Sequence, residues 1–335
     1  MFDVLIILNS LYAQYLAAAP NLEPQEYQCL PLPLDFLSYR EPVNMMVLRL
    51  PACSFLTLLT LCVLPFLVAV SATRSSPTNV IVVGGSSGMG KAAALATLQR
   101  GGRVMLVSRS EDKLLRAKQE LESKVPEADV ETRSCNVSNE GEVEKLAASI
   151  DSDMWDSLVI SAAGKAPHGP VASLPTSDTR GMMESKVWTA YHCVKHLGSK
   201  LQDGGSVVFV AGILNRRPGL NCAPLAMANG ALEGLTRSLA LEWGPRLRVN
   251  CLSPGFCDTE RFDHMDADRK EKMLSNTAAS LPLQRVGQPE DMGEAIYYLL
   301  SSTFCTGVIL DVDGGHGIRQ YANLKTDPMR GTSNP

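Results

Sequence analysis

A glycine-rich turn between an apolar segment and an alanine-rich segment is the part of this chain that could bind a phosphate. The run from Asn79 to Ser110 reads NVIVVGGSSGMGKAAALATLQRGGRVMLVSRS. Glycines let the backbone approach a phosphate, while free N–H groups and the dipole at a helix start favour its negative charge. A glycine triplet alone is weak evidence, but a strand before it and a helix after it supply the required context. The backbone predicted to hold the phosphates is that of Gly84, Ser86, Ser87, Gly88 and Met89.

The rest of the chain from Thr78 must position this turn, and its pattern alternates short apolar segments with amphipathic ones. The predicted strands are Asn79–Val83, Arg103–Val107, Val130–Cys135, Ser157–Ile160, Ser206–Val210, Arg248–Leu252 and Val308–Val312. The predicted helices are Met89–Arg100, Asp112–Ser123, Glu140–Ile150, Thr179–Leu201, Ala226–Trp243 and Pro289–Ser301. This alternation predicts an α/β fold, a doubly wound parallel sheet covered on both faces, in a single domain over 78–317 with a polar tail at 318–335.

Composition narrows the class of protein. The chain has 335 residues, of which 45% are hydrophobic, and a net charge of -4, so it offers no basic footprint for a nucleic-acid partner. The nine cysteines are odd in number and form no CxxC pair. They therefore predict neither a disulfide framework nor a metal cluster.

The N-terminal region differs in character from the rest. Residues 50–72 form an uncharged apolar run that suits a membrane span. The same run suits a signal sequence if translation starts at Met45 or Met46, and a buried core helix is a third interpretation. We expect 45–77 to be a signal sequence or membrane anchor with a linker, after an N-terminal extension over 1–44. This predicts membrane attachment, or targeting to the secretory pathway or an organelle, rather than the cytosol.

Five blocks in order resemble the short-chain dehydrogenase/reductase family. They are VGGSSGMG at 83–90, SAAG at 161–164, ALEGLTRSLALEWGP at 231–245, RVNCLSPGFCDT at 248–259 and VDGG at 312–315. The resemblance implies a Rossmann-type fold and a dinucleotide cofactor. It further implies cofactor contacts from Ala162, Ala163, Gly164, Pro254, Gly255 and Thr259.

The four positions that match the family's catalytic residues carry other residue types in this chain. Leu225 stands at the position of the family's tyrosine and Asn229 at that of its lysine, which form the YxxxK pair. Gly212 stands for the serine and Lys186 for the asparagine. General acid catalysis contributes about 10²–10⁴-fold, so loss of the tyrosine weakens the chemistry unless another acid replaces it.

Lys186 and Asn229 look like a rearranged polar site. A lysine beside the active site would be partly desolvated, which lowers its pKa and suits it to donate a proton or to contact an oxyanion. The alternative is a surface lysine with no role in catalysis. His168, in the loop after the fourth strand, is a second candidate acid, although it could equally be a solvated loop residue.

The residues after the second strand favour NADP over NAD. Relatives that prefer NAD carry an acidic residue there, whereas this chain has Ser108 followed by Arg109. Without a carboxylate to repel a 2′-phosphate, and with a guanidinium able to pair with it, NADPH is the expected cofactor. Asn136 and Val137 occupy the place where the family contacts the adenine.

The resulting expectation is an NADP(H)-dependent oxidoreductase that acts on a small-molecule carbonyl or alcohol over the loop between Gly212 and Leu225. The alternative is a catalytically inactive dinucleotide-binding homologue with a structural or sensing role. The resemblance also implies a homodimer or homotetramer. No metal is expected to take part.

Overall fold

Seven strands form one parallel sheet in the order β3-β2-β1-β4-β5-β6-β7. The structure, a computed structural model, describes residues 79–152 and 154–318. The strands are β1 (Asn79–Val83), β2 (Arg103–Ser108), β3 (Asp129–Ser134), β4 (Trp155–Ile160), β5 (Leu201–Val210), β6 (Arg248–Pro254) and β7 (Ile309–Val312). The strand order reverses between β1 and β4. Open α/β sheets bind ligands at the carboxyl ends of the strands beside such a reversal.

Eight α-helices of the described residues connect or flank the strands. They are α1 (Gly88–Leu98), α2 (Glu111–Lys124), α3 (Glu140–Ala148), α4 (Thr176–Met183), α5 (Thr189–Leu197), α6 (Ala223–Trp243), α7 (Ala267–Ala279) and α8 (Pro289–Ser301). A π-helical turn, Glu184–Trp188, joins α4 to α5, and 3₁₀ turns cover Gly198–Lys200, Ile213–Asn215 and Glu260–Phe262.

The core consists of two apolar layers, one on each face of the sheet. Val80 and Val82 of β1 pack with α1, α2 and α8, whereas Ile81 and Val83 pack with α3, α5 and α6. Alternate residues of a strand point to opposite faces, so a strand buried on both sides must be apolar throughout, as β1 is. The expected doubly wound architecture is therefore confirmed.

The long helix predicted over Thr179–Leu201 is wrong as a single helix. It begins earlier, at Thr176, and the π-helical turn interrupts it around Lys186. A π turn inserts one extra residue into an α-helix, which apolar periodicity alone does not reveal. The predicted end is also wrong, because Leu201 begins β5 and pairs with Trp155 before the register shifts at Ser157.

Smaller differences lie at other ends of elements. Helix α6 starts at Ala223 rather than Ala226, with Pro224 in its first turn, where a proline is well tolerated. Cys135 follows β3 instead of ending it, and its side chain is buried. Helix α7 lies in a stretch where no helix was predicted, and none of its residues is buried, so it lacks a strong apolar stripe.

Several predictions fall outside the described residues. These are the extension at 1–44, the targeting or anchoring segment at 45–77 and the tail beyond Ile318. Among the helices that the structure describes, none combines the length and the apolar character needed to cross a bilayer. This finding does not bear on residues 50–72, which were not among those searched.

Candidate functional site

The glycine turn after β1 forms a close-fitting cradle at the start of α1. The N–H of Gly84 donates to the carbonyl of Val107 at 2.8 Å, which ties the turn to the end of β2. Gly84 has φ +84°, and a Cβ added there would lie 2.7 Å from the backbone nitrogen of Ala162. Gly88, with φ +51°, opens the helix. A side chain at Gly84 would collide with the loop after β4, and both glycines have a positive φ, so this turn needs glycine to reach the helix start, where free N–H groups attract an anion.

The expected adenosine end of the site lies beside this cradle. Ser108 ends β2, and its buried hydroxyl oxygen has no hydrogen-bond partner among the residues that the structure describes. Arg109 is exposed, and within the described ranges its guanidinium has no ion-pair partner. The Ser108 carbonyl accepts from the N–H of Cys135, which brings Asn136 and buried Val137 to the same edge. An orphaned hydroxyl next to an unpaired guanidinium fits a phosphate ligand.

The other predicted cofactor positions converge on the same edge of the sheet. Ala162, Ala163 and Gly164 follow β4, and the N–H of Ser161 donates to the carbonyl of Val83 at 2.9 Å. Pro254 ends β6, and the N–H of Gly255 donates to the carbonyl of Val312 at 3.0 Å. The side chain of Thr259 lies over Gly88, at 3.5 Å from where a Cβ on that glycine would be.

Lys186 is buried and held by two hydrogen bonds, so it is not the surface lysine of the alternative interpretation. Its side chain is 6% exposed. Its Nζ donates to the Ala211 carbonyl at 2.7 Å and to Asn229 Oδ1 at 2.7 Å. The π-helical turn that carries it is of a kind frequently found at functional sites. An ammonium has three N–H bonds, which leaves one without a partner among the described residues.

Burial changes the chemistry of this lysine. Removal from water lowers the pKa of Lys186 to about 8, and the positive charge of nearby Arg261 also lowers it, whereas Cys251 raises it. A buried amine loses hydration that only its charged form needs strongly. An amine that titrates this close to neutrality can both donate and regain a proton under physiological conditions.

Gly212 and Leu225 are the positions predicted from the sequence for the family's serine and tyrosine. Gly212 has φ +150°, and a Cβ on it would lie 2.9 Å from Asn229 Nδ2, so a serine would collide with Asn229. Leu225 is half-buried and packs with an apolar cluster that includes Ala166 and Met182. Neither side chain can supply a proton. Lys186 bonds to Ala211, the residue before Gly212, and to Asn229, one helical turn after Leu225.

His168, the second candidate acid, and Arg216, in the loop after β5, both have structural partners. His168 is exposed, and its Nδ1 lies 3.4 Å from the thiol of Cys222. Arg216, in the loop after β5, is an ion-pair partner of buried Glu233 and of Asp311, and donates to Ser253 at 2.7 Å. These contacts attach the loop after β5 to α6, β6 and β7 through Arg216.

A cavity of about 440 Å³ lies along this loop and the start of α6. Its lining includes Val171, Leu220 and Met227, which are exposed apolar side chains, together with Cys222 and Ala226, the residue after Leu225. Exposed apolar side chains around a concavity are typical of ligand sites. The lining of this cavity includes neither Lys186 nor Asn229.

Three charged residues near the cradle were not predicted from the sequence. Glu260 accepts from the N–H of Gly88 at 2.7 Å, and its other oxygen lies 3.0 Å from the ammonium of Lys91. Arg261 donates to the carbonyl of Gly164 at 3.1 Å. The available signal was their position, since Lys91 follows the glycine turn and Glu260 follows Thr259.

Comparisons with known proteins agree with this geometry. Residues 83–317 match the family model described as enoyl-(acyl carrier protein) reductase. A zebrafish (Danio rerio) protein, carbonyl reductase family member 4, is 31% identical over 238 residues, which cover 70% of this chain and 96% of that protein.

Two solved structures are also similar to this chain over most of its length. A small-chain dehydrogenase in complex with NADPH is similar with a TM-score of 0.60 and 29% identity, over 72% of this chain and 100% of that one. An NADPH-bound short-chain oxidoreductase from Pseudomonas aeruginosa PAO1, which contains an atypical catalytic centre, has a TM-score of 0.64 and 25% identity, over 71% of this chain and 96% of that one.

Proposed function

The chain belongs to the short-chain dehydrogenase/reductase family of oxidoreductases, and from this premise we propose that it interconverts a carbonyl and an alcohol with NADPH, using Lys186 as proton donor in place of the family's tyrosine. The observation that carries the proposal is the buried ammonium of Lys186, held by Asn229 and the Ala211 carbonyl at the end of β5. It lies among the positions at which the family's catalytic residues would stand.

The cofactor assignment rests on the cradle and on the end of β2. The backbone at Gly84 and Gly88 is shaped for a pyrophosphate, and Ser108 and Arg109 offer a hydroxyl and a guanidinium to an adenosine 2′-phosphate. NADPH is bound in both solved relatives described above. NAD is the weaker candidate, because no carboxylate stands at Ser108 to accept hydrogen bonds from its ribose hydroxyls.

The chain's own contribution to the reaction is the handling of a proton. When bound, NADPH supplies the hydride that reduces the carbonyl carbon. Lys186 directs its remaining N–H to the carbonyl oxygen, transfers a proton as negative charge develops there, and becomes a neutral amine. Asn229 and the Ala211 carbonyl hold the amine in place, and a proton from solvent restores the ammonium. In the oxidation direction the neutral amine accepts the proton of the alcohol.

The substrate that we propose is a small or lipid-like carbonyl compound or the corresponding alcohol. Hydride transfer takes place over the loop between Gly212 and Leu225. The cavity along this loop supports a partly apolar substrate, because its lining includes Val171, Leu220 and Met227.

Turnover with NADPH tests the proposal. A panel of aliphatic and aromatic carbonyls is incubated with the wild type and with Lys186→Ala, and absorbance at about 340 nm follows the cofactor. Lys195→Ala, which removes an exposed lysine of α5, is the matched control. We expect turnover in the wild type and the control, and a loss of about 10²–10⁴-fold in Lys186→Ala. If NADPH binds and no carbonyl is reduced, the alternative of an inactive dinucleotide-binding sensor is favoured instead.

Assembly and location form the rest of the proposal. Pairing into a homodimer or homotetramer through the long helices is supported by the exposed Trp188 and Tyr191 and by Leu241 of α6. Membrane attachment or organelle targeting through 45–72 rests on the apolar run at 50–72. Light scattering and N-terminal sequencing of the mature protein test these two points.

A further inference from the structure

A carboxylate of the chain itself lies at the N-terminus of α1. Glu260 Oε2 accepts a hydrogen bond from the N–H of Gly88 at 2.7 Å. Its other oxygen, Oε1, forms an ion pair with Lys91 at 3.0 Å. Gly88 opens α1, and a helix start attracts an anion through its free N–H groups and its dipole. Glu260 therefore supplies negative charge at the point where the proposed function requires a pyrophosphate.

The segment Thr259–Phe262, named here the strap, lies across the edge of the sheet at the reversal of strand order. On one side Glu260 accepts a hydrogen bond from Gly88, at the end of the turn after β1, and Thr259 lies over that glycine. On the other side Arg261 donates to the carbonyl of Gly164, in the loop after β4. Since β1 and β4 are neighbours in the sheet, the strap spans the gap between their carboxyl ends.

The rest of the strap is tethered on the side of β6. The ring of Phe262 stacks on Phe256 with centroids 5.3 Å apart, and the N–H of Phe262 donates to the carbonyl of Thr259. The ring stack joins the strap to the chain that leaves β6, whereas the hydrogen bond lies within the strap. Glu260 and Arg261 join the strap to the loops after β1 and β4. A movement of the strap would thus break a few polar contacts and no apolar layer.

The N–H of Gly88 cannot donate its hydrogen bond to the Glu260 carboxylate and to a pyrophosphate at the same time. Partial burial raises the pKa of Glu260, but hydrogen bonds from its own backbone N–H and from Lys91 outweigh this and lower it overall. The carboxyl is therefore ionised at neutral pH and repels a second anion at close range. Lys91 also pairs with Glu120 at 2.7 Å, so its charge stays at the helix start whether or not Glu260 is present.

We propose that Glu260 is an intramolecular competitor for the pyrophosphate site, and that the cofactor must displace the strap from Gly88 in order to bind. The inference rests on the proposed function. In the free protein the strap is closed. The apparent affinity for the cofactor then equals the affinity of the open site multiplied by the fraction of molecules in which the strap is open.

Two ligands and three variants test this. NADPH contacts the pyrophosphate site, whereas adenosine 2′-monophosphate reaches only the end near Arg109 and carries no pyrophosphate. Glu260→Gln removes the charge. Glu260→Asp keeps the charge but shortens the side chain, so that it no longer reaches the N–H of Gly88. Asp263→Asn removes one exposed negative charge from the residue after the strap, without contact to Gly88, and is the matched control.

Dissociation constants are measured on the full-length chain, by fluorescence for NADPH and by ligand-observed NMR for adenosine 2′-monophosphate. We expect Glu260→Gln and Glu260→Asp to bind NADPH about tenfold more tightly than the wild type, since the competing contact is lost. Their affinity for adenosine 2′-monophosphate should be unchanged, and Asp263→Asn should match the wild type for both ligands.

The outcomes separate the inference from the function on which it rests. If NADPH binds the wild type and both Glu260 variants with equal affinity, or if Asp263→Asn gains as much as they do, the competition is refuted and the cofactor assignment stands. If no variant binds either ligand, the cofactor assignment itself is wrong. If only Glu260→Gln binds NADPH more tightly, and Glu260→Asp does not, the charge of Glu260 weakens binding without the hydrogen bond to Gly88. That result would also overturn the displacement mechanism.

Discussion

The ammonium of Lys186 and the side-chain oxygen of Asn229 are joined by a buried hydrogen bond of 2.7 Å. In the register predicted from the sequence, these two residues take the positions of the family's asparagine and lysine, so the pair would keep one amide and one ammonium with their places exchanged. The exchange moves the positive charge from α6 to the π-helical turn. In the proposed function, this hydrogen bond connects the proton donor to the residue that holds it in place.

The pH dependence of carbonyl reduction should report the state of Lys186. Only the ammonium donates a proton, and burial lowers its pKa to about 8. We expect kcat/KM for the carbonyl to be level below pH 8 and to fall about tenfold per pH unit above it. Alcohol oxidation needs the neutral amine and should rise through the same pH. A reduction rate that stays level up to pH 10 would exclude Lys186 as the acid.

Replacement of Asn229 by aspartate should move this pH profile. A carboxylate at hydrogen-bond distance from Lys186 stabilises the ammonium, so the fall in kcat/KM should shift to higher pH by about 1–3 pH units. Reduction at neutral pH should slow, because a stronger base is a weaker acid. Asn139→Asp, which adds the same charge at the exposed N-cap of α3, should leave the profile in place. Equal profiles for both variants would mean that Asn229 does not act on Lys186.

Gly212→Ser should harm the protein rather than restore the family's serine. The backbone at Gly212 has φ +150°, and the new Cβ would lie 2.9 Å from Asn229 Nδ2. We expect a loss of about 1–3 kcal/mol in the free energy of unfolding, together with lower turnover as Asn229 is displaced.

Gly204→Ser is the control for this variant, because Gly204 also has a positive φ but has no atom within 4 Å of an added Cβ. It should lose stability from backbone strain and retain turnover. Denaturant unfolding and steady-state kinetics separate the two effects. Full turnover in Gly212→Ser would show that the position of Asn229 does not matter for the reaction.

Arg109 should set the preference between the two pyridine dinucleotides. Its exposed guanidinium follows Ser108 at the end of β2, where the adenosine 2′-phosphate would lie. Loss of a hydrogen bond to a charged group costs about 1.5–3 kcal/mol, so Arg109→Gln should weaken NADPH binding roughly 10–100-fold. NADH binding should barely change. Arg116→Gln, on the exposed face of α2, should affect neither cofactor.

The central part of the fold could be predicted because each level of the sequence agrees with the next. Strands β1, β2, β4 and β6 are short and largely buried, whereas β3, with the sequence DVETRS, is mostly polar. The glycine turn lies between β1 and α1, so hydrophobic periodicity and turn chemistry indicate the same architecture. The boundaries of β1 and α8 agree with the structure residue for residue. Buried elements give strong patterns, since each face must be apolar.

Other features left no such pattern. The π-helical turn at Lys186 depends on one inserted residue, and α7 buries none of its residues, so only its N-cap, Asp266, indicated a helix start. The contact between Glu260 and Gly88 joins residues that are 172 positions apart, and spacing along the chain cannot predict it. The positions of Lys186 and Asn229 were predicted, whereas their hydrogen bond needed the folded chain.

The central claim is that a pyridine dinucleotide lies with its pyrophosphate at the start of α1 and its 2′-phosphate beside Arg109. The most direct measurement is a fluorescence titration of the full-length wild type with NADPH and, separately, with NADH. The account predicts saturable binding of both, with NADPH bound at least about tenfold more tightly because of the charge-assisted contact at the 2′-phosphate. Saturation by neither cofactor, or tighter binding of NADH, would contradict it.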